Sequence, residues 1–104
     1  MKEMYPQGDA EYTHREAEEL ILNHYGQKKQ EIQAVQELSE LTLLLTARED
    51  QRGKDYKKRL TEEMADVIVM IEQMKIANKI TDEDITEVIV YKLGRTLDRI
   101  DKED

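Results

Sequence analysis

The sequence predicts an all-α protein built from four helices. Only one of its 104 residues is proline and four are glycine, so few positions interrupt regular backbone structure. Between them the apolar residues recur three and four positions apart, which is the periodicity of amphipathic helices and not the alternation of strands. The length corresponds to a single domain over residues 1–104, and we expect residues 1–9 to form a flexible N-terminal segment.

Composition excludes several classes of function. The chain has 16 Lys and Arg against 24 Asp and Glu, a net charge of −8 at pH 7, whereas nucleic-acid-binding domains present a basic face. The absence of cysteine excludes thiolate metal sites and cysteine nucleophiles. No apolar run approaches the length of about 18 residues that crosses a membrane, and none resembles a signal peptide. We therefore expect a cytoplasmic protein that binds neither nucleic acid nor membrane.

The first helix is predicted to begin at a cap on Asp9 and to end near Tyr25, where Gly26 follows. Aspartate is a favoured helix N-cap, and glycine is the usual residue just beyond a helix C-terminus. One side of this helix carries the residues Ala17, Leu20, Ile21 and His24.

The second helix is predicted over residues 28–47. One apolar stripe runs along it, made of Ile32, Val35, Leu38, Thr42 and Leu45. Further leucines at positions 41, 43 and 44 make its C-terminal half apolar nearly all round, so this half is predicted to be buried. The charged segment 48–55 contains Gly53 and is predicted to be an exposed loop and a candidate lid.

The third and fourth helices each carry the apolar seam of a helical bundle. The third is predicted over 56–78, with the seam Leu60, Met64, Val67, Ile71 and Met74. The fourth is predicted over 82–101, with Thr81 and Asp84 as a capping box. Its seam is Ile85, Val88, Ile89, Leu93, Leu97 and Ile100. A chain of this length cannot cover so much apolar surface, so a homodimer or homotetramer is expected.

Two pairs of acidic residues are the candidates for a functional site. Glu37 and Glu40 lie about 60° apart around the second helix, and Glu63 and Asp66 are spaced in the same way on the third. Each pair leads directly into apolar surface. If these helices pack antiparallel across the short loop, both pairs face one cleft, where four negative charges would repel one another.

A divalent cation would resolve this repulsion. The ligands would all be oxygen atoms, which favours Mg²⁺ or Mn²⁺ over zinc, and Mg²⁺ often takes part of its shell from substrate phosphates. Either pair alone is more simply explained as solvated helix acids; the two together favour the metal site. On the fourth helix Lys92, Arg95 and Arg99 form a stripe that suits phosphate, although cations covering the edge of the core explain it equally well.

The sequence also resembles a known family. Glu37-x-x-Glu40 followed by Glu63-x-x-Asp66 resembles the signature of the all-α nucleoside triphosphate pyrophosphohydrolases, which include MazG, dimeric dUTPase and phosphoribosyl-ATP pyrophosphatase. The segments LNHYGQKKQEIQAVQELSELT, EEMADVIVMIEQMK and VIVYKLGRTLDRI are most similar to small MazG-like proteins of Gram-positive bacteria and their prophages. The similarity covers about residues 18–101.

The resemblance implies a fold, a cofactor and a reaction. The fold would be of the four-helix-bundle type and oligomeric, and Mg²⁺ would be held by the four carboxylates of Glu37, Glu40, Glu63 and Asp66. The reaction would be hydrolysis of a nucleoside triphosphate to the monophosphate and pyrophosphate. This chain departs from the family at Gln36, where a glutamate often precedes the first metal ligand, and at Thr96, where the last helix often has asparagine.

Roles for individual residues follow as expectations. Glu40 or Glu63 would orient or deprotonate the attacking water, while Lys54 in the loop, together with the cations of the fourth helix, would neutralise the phosphates. A nucleoside pocket is predicted from Asn23, Gln30 and Gln33, because the two glutamines share the face of Glu37.

Two other functions stay open. The chain could be a non-catalytic helical module that self-associates, or a relative that binds nucleotides without turning them over. Gly53 and Lys54 lack the glycine pattern of a P-loop. His14 and His24 have no Ser or Cys partner pattern that would indicate a catalytic triad.

Overall fold

Four α-helices account for most of the structure, a computed structural model that describes residues 4–7 and 10–103, with side chains over 11–103. The helices are α1 (His14–Tyr25), α2 (Gln27–Thr46), α3 (Tyr56–Asn78) and α4 (Asp82–Lys102). Their boundaries lie within one residue of the predictions, except at the start of α1, and the predicted all-α class is confirmed. Among the described residues no helix combines the length and the apolar character needed to span a membrane.

A short antiparallel hairpin precedes the helices. Its strands are β1 (Met4–Gln7) and β2 (Ala10–Thr13), in a register that pairs Tyr5 with Tyr12. The expectation of a flexible segment over 1–9 therefore misses the strand at 4–7. Residues 1–3, 8 and 9 lie outside the described residues.

The predicted start of the first helix is wrong. The predicted cap, Asp9, lies outside the described residues, and α1 begins only at His14. Thr13 caps the helix: its Oγ1 accepts a hydrogen bond from the backbone N–H of Glu16 at 3.2 Å. The Glu16 carboxylate in turn accepts from the backbone N–H of Thr13 at 3.0 Å. This reciprocal capping box fixes the boundary, while the chain before it is extended and pairs as a hairpin.

Helices α2 and α3 pack side by side and antiparallel. Near the start of α2, the Gln30 side-chain N–H donates to the Gln73 amide oxygen at 2.8 Å. At the other end, the Tyr56 hydroxyl donates to the carbonyl of Leu44 at 3.2 Å. The loop between them contains a short 3₁₀ helix, Glu49–Gln51. Helix α1 packs against both α2 and α3, so the first three helices form one layered unit.

The core of this unit is small and partly polar. Its buried apolar side chains are Leu22, Ala34, Leu44, Val67 and Met70. Three polar side chains are buried with them: Glu18, Gln30 and Gln73. The face of α2 that meets α3 thus carries small, amide and carboxylate side chains where a simple bundle would have leucine.

The predicted burial of the C-terminal half of α2 is only partly correct for the single chain: Leu44 is buried, but most of the apolar stripe along α2 is exposed. Val35 is 63% exposed and Leu43 72% exposed, and Ile32, Leu38 and Leu45 are also exposed. The cause is the rotation of α2, which turns the mixed face containing Ala34 and Leu44 toward α3. The more apolar stripe consequently points away from the rest of the chain. On α3, Val67 is buried as predicted, but Met64 and Ile71 are exposed.

Helix α4 extends away from the other three. Within the described residues it packs against no other helix or strand, and every residue of its predicted seam is exposed except the half-buried Ile85. The radius of gyration is 17.5 Å, well above the value of about 13 Å for a compact domain of this length. The described chain is therefore a three-helix unit with a projecting fourth helix, and one chain alone does not form the predicted four-helix bundle.

The turn between α3 and α4 is well defined. The backbone N–H of Ile80 donates to the carbonyl of Lys75 at 2.9 Å and that of Lys79 to Ile76 at 3.3 Å, which is a Schellman motif. Lys79 adopts the left-handed conformation with φ of 56°. Across the turn, the Lys75 ammonium forms an ion pair with Asp82. Thr81 and Asp84 then form the predicted capping box of α4.

Replacing Lys79 with glycine should stabilise the chain. The left-handed conformation penalises a residue with a Cβ, and glycine escapes this penalty at some cost in unfolded-state entropy. We expect Lys79→Gly to raise the free energy of unfolding by about 0.5–1 kcal/mol in urea denaturation. Lys79→Ala, which removes the charge but keeps the Cβ, is the control and should give no gain. An equal gain from both variants would contradict the conformational explanation.

Candidate functional site

A cluster of carboxylates lies where α2 and α3 face each other. Glu37 of α2 and Glu63 and Asp66 of α3 each place a carboxylate oxygen within 4.8 Å of the other two. The arrangement follows from local structure, because residues three apart on a helix point to one side and the two helices run antiparallel. The structure thus brings together three of the four predicted metal ligands.

The fourth predicted ligand, Glu40, joins the same cluster. It is exposed on α2, one turn after Glu37, and its carboxylate interacts with that of Glu63 and raises the pKa of Glu63. The two predicted catalytic residues, Glu40 and Glu63, therefore face each other across the helix pair. This cluster of Glu37, Glu40, Glu63 and Asp66 is called the carboxylate cluster below.

Two oxygen atoms of the carboxylate cluster lack partners. Glu37 Oε2 and Glu63 Oε2 are both buried and accept no hydrogen bond from the described residues. The other oxygen of Glu37 accepts from the Gln33 side-chain N–H at 2.8 Å. A buried carboxylate oxygen without a donor or a cation is costly, so these two atoms indicate a site for a positively charged ligand.

Burial and mutual repulsion perturb the protonation of the cluster. Burial raises the pKa of Glu37; the hydrogen bond from Gln33 opposes this shift, and the charges of Asp66 and Glu40 add to it. Burial also raises the pKa of Glu63, reinforced by the contact with Glu40 and by the charges of Glu37 and Asp66. In both cases burial and the neighbouring negative charges disfavour the ionised form, and for Glu37 the hydrogen bond from Gln33 compensates only in part.

The donor set fits a hard divalent cation. All the convergent atoms are carboxylate oxygens contributed by two helices, as Mg²⁺ and Mn²⁺ prefer, and no nitrogen or sulfur ligand that would favour zinc is among them. The cluster also opens to solvent through Glu40 and Asp66, which are exposed. A metal held there would keep coordination positions for water or for a substrate.

A groove of about 480 Å³ adjoins the carboxylate cluster on the side of the loop. Its acidic lining residues are Glu40, Glu62 and Glu63, and Arg52, Tyr56 and Arg59 line it together with the leucines at the end of α2. The sequence analysis missed both arginines. A usable signal was present, since Arg59 precedes Glu63 by one helical turn and so shares its face.

The predicted phosphate-binding residues are placed elsewhere. Lys54 is exposed in the loop and does not line this groove. Lys92, Arg95 and Arg99 are exposed on α4, where Arg95 lies over the Tyr91 ring and Arg99 bonds the Thr96 hydroxyl at 3.4 Å. Beyond the ion pair of Asp82 with Lys75 at its start, α4 packs against none of the first three helices in the described part of the chain, so one chain does not bring these cations to the carboxylate cluster.

The three residues predicted for a nucleoside pocket have different surroundings. Gln33 lies beside the cluster and bonds Glu37. Gln30 is buried and bonded to Gln73, which gives it a role in joining α2 to α3. Asn23 is exposed on α1 and lines a separate groove of about 620 Å³ with Tyr12 and His24. Only Gln33 adjoins the carboxylate cluster, and the nucleoside role stays a prediction.

A second ionisable group, not predicted from the sequence, joins α1 to α3. His14 Nε2 lies 2.8 Å from Glu18 and 3.1 Å from Glu72. Glu18 is only 4% exposed, and an open groove of about 640 Å³ begins beside it. The spacing of His14 and Glu18 by one helical turn was visible in the sequence, but nothing there indicated that Glu72 would lie opposite.

This second group of ionisable side chains includes a residue, His14, that can carry a positive charge. Burial, together with the contact and the charge of Glu72, raises the pKa of Glu18 to about 7, although His14 opposes the shift. Partial burial by itself would lower the pKa of His14, but the hydrogen bonds and charges of Glu18 and Glu72 outweigh burial and raise it. When protonated, the imidazole of His14 therefore places a positive charge between the carboxyl groups of Glu18 and Glu72.

Comparisons of the chain with protein-family models, with curated proteins and with solved structures found no match.

The pH dependence of stability tests the buried glutamate. The folded chain holds the Glu18 proton up to about pH 7, against an ordinary value of 4.5, so it binds more protons than the unfolded chain between these values. Its free energy of unfolding should therefore fall as the pH rises through this window, and His14 extends the fall to higher pH. Glu18→Gln, which mimics the protonated acid, should be more stable than the wild type at pH 8, by about 1–2 kcal/mol in urea melts.

Glu19→Gln is the matched control for this measurement. Glu19 is the neighbouring acid on α1 and forms a partly exposed ion pair with Arg15 at 2.8 Å, which contributes little to stability. This variant should keep the pH profile of the wild type. A Glu18→Gln profile parallel to that of the wild type would show that Glu18 titrates normally.

Proposed function

We propose that this chain is a Mg²⁺-dependent nucleoside triphosphate pyrophosphohydrolase that cleaves (d)NTP to (d)NMP and pyrophosphate. The observation that carries the proposal is the pair of buried, unpartnered oxygens of Glu37 and Glu63 within one carboxylate cluster. Acids that were merely solvated would not leave such atoms buried between two helices. The family resemblance of the same four residues supports the reaction class.

In this proposal the residues of the site have different roles. Glu37 and Asp66 hold the cation from opposite helices, and Gln33 fixes the orientation of Glu37 through its hydrogen bond. Glu40 and Glu63 lie toward the groove, where a carboxylate with a raised pKa can accept a proton from the attacking water. When bound, Mg²⁺ supplies charge neutralisation and activation of water.

The departures from the family pattern can be placed as well. Gln36 is exposed on α2, and Thr96 lies on the projecting α4, its hydroxyl bonded to the carbonyl of Lys92 at 2.9 Å. Neither belongs to the carboxylate cluster. A relative that binds nucleotides without turnover would have the same cluster, and it differs from the proposed enzyme only in releasing no product.

Magnesium binding and turnover test the proposal together. Mg²⁺ at about 100 times its Kd should stabilise the folded chain by about 2.7 kcal/mol, which a thermal melt at pH 8 would show as a shift of several degrees. Pyrophosphate release from a panel of NTPs and dNTPs should depend on Mg²⁺. Glu37→Gln should raise the stability without metal, because it removes repulsion, yet abolish the response to Mg²⁺ and lower turnover by about 100-fold or more.

Glu31→Gln is the matched control for Glu37→Gln. Glu31 is exposed on the same helix and accepts a hydrogen bond from Gln27, which glutamine can also accept. This variant should retain both the Mg²⁺ response and turnover. If Mg²⁺ stabilises the wild type without pyrophosphate release, the binding-only relative is favoured; an absence of any Mg²⁺ response would reject the metal site.

We further propose that the chain works as a homodimer or homotetramer. The apolar seam of α4 is exposed, with Leu97 65% accessible, and so are the stripes of α2 and α3. Exposed apolar surfaces of this extent on three helices are typical of subunit interfaces. A second copy whose α4 lies across α2 and α3 would cover them and would carry Lys92, Arg95 and Arg99 toward the carboxylate cluster. The same surface equally supports a non-catalytic self-association module, which the turnover assay separates.

Oligomerisation can be tested with two adjacent positions on α4. Light scattering on the wild type should give two or four times the monomer mass of 12.3 kDa. Leu93→Glu places a charge in the exposed seam and should yield a helical monomer. Gly94→Glu adds the same charge about 100° further round the helix from Leu93 and off the seam, where a Cβ meets open space, and should leave the mass unchanged. A monomeric wild type at micromolar concentration would contradict the proposal.

A further inference from the structure

The groove beside the carboxylate cluster has two ends of different chemistry. Arg52 and Arg59 line it toward the loop, Glu40 and Glu63 line it toward the middle of the helix pair, and Glu62 also lines it. Beyond the cluster, on the other side, lie the amides of Gln33 and Gln30. The helix pair therefore presents cations, then carboxylates, then neutral amides along its length.

The Arg59 guanidinium is available for a ligand. It is exposed, and in the described part of the chain it makes no ion pair and no side-chain hydrogen bond. This holds although Glu62 and Glu63 follow it at helical spacings of three and four, where ion pairs commonly form. Arg59 is thus unpaired in the described part of the chain and lies beside carboxylates that lack a cation. It is well suited to bind an anion that carries a divalent cation with it.

Arg52 is held in place behind Arg59. Its Nε donates to the carbonyl of Ala47 at 3.0 Å and its Nη2 to that of Leu45 at 3.1 Å, and the guanidinium lies 4.5 Å from the centre of the Tyr56 ring. These contacts fasten the loop to the end of α2. They fix a positive charge at the closed end of the groove without occupying Nη1.

We propose that Arg59, with the charge of Arg52 behind it, binds the two phosphates that leave as pyrophosphate. The triphosphate then extends from the carboxylate cluster toward the loop, and the nucleoside lies toward Gln33. This assignment rests on the proposed pyrophosphohydrolase function. It differs from the phosphate roles predicted for Lys54 and α4, because it requires only residues of one chain that already line the groove.

The assignment is consistent with the balance of the reaction. One P–O bond forms to the water oxygen, and one P–O bond of the bridge between the α and β phosphorus atoms breaks. The electron pair of the broken bond stays on the released phosphate oxygen, and the proton of the water passes to a cluster carboxylate and then to solvent. Negative charge accumulates on the departing pyrophosphate, at the end of the groove where Arg59 lies.

Binding of inorganic pyrophosphate with Mg²⁺ tests the assignment directly. Calorimetric titration of the wild type and of Arg59→Gln should show that the variant binds Mg²⁺-pyrophosphate about tenfold more weakly or worse, since it loses a charge-assisted bidentate contact. Binding of a nucleoside monophosphate should change less than twofold. In steady-state assays the KM for the triphosphate should rise by a similar factor, and Arg59→Lys should restore part of the loss because it keeps the charge.

Lys57→Gln is the matched control. Lys57 is an exposed cation on the same turn of α3 and faces away from the groove, so its removal should leave pyrophosphate binding unchanged. Equal binding of pyrophosphate by Arg59→Gln and the wild type would overturn the assignment, as would an equal loss in Arg59→Gln and Lys57→Gln. No pyrophosphate binding by the wild type would also overturn it. If pyrophosphate binds through Arg59 but no triphosphate is hydrolysed, the proposed function fails while the anion site stands.

Discussion

The antiparallel contact between α2 and α3 is the constraint on which the rest of the structure depends. It sets Glu37 and Glu40 against Glu63 and Asp66 and leaves two of their oxygens buried without partners. The contact is held by the Gln30 to Gln73 hydrogen bond and by a few apolar side chains. Because like charges lie inside this interface, the helix pair is stabilised less than an apolar pair would be, and a cation that binds there contributes to folding as well as to chemistry.

The two clusters of ionisable side chains differ in how their negative charges are balanced. At the contact between α1 and α3, His14 lies between Glu18 and Glu72 and can supply a positive charge from within the protein. The carboxylate cluster contains no cation among its described members, and Arg59, which lines the adjoining groove, forms no ion pair with it in the described part of the chain. His14 thus gives the first group a positive charge opposite its carboxylates, whereas two oxygens of the carboxylate cluster have no partner among the described residues. That difference separates a structural contact from a candidate site.

Local sequence signals predicted most of the helix boundaries, but not which face of each helix packs against its neighbours. The capping box at Thr81 and the stop at Gly26 depend on neighbouring residues and were found from the sequence. Which face of α2 meets α3 depends on distant residues, so burial was predicted for the whole C-terminal half of α2, although Leu43 and Leu45 are exposed. The four acids were predicted because their spacing is local on each helix. Arg59 and the partnership of Glu72 with His14 were missed because each requires knowing which elements lie side by side.

The projecting α4 is stabilised by fewer contacts than the other three helices. Helices α1 to α3 bury one another, whereas α4 in a single chain has only its backbone hydrogen bonds, its capping box and the Lys75 to Asp82 ion pair. A helix of this length in water is marginal without tertiary contacts. The turn at Lys79 nevertheless fixes the direction in which α4 leaves α3. This direction therefore does not depend on contacts made along α4 itself.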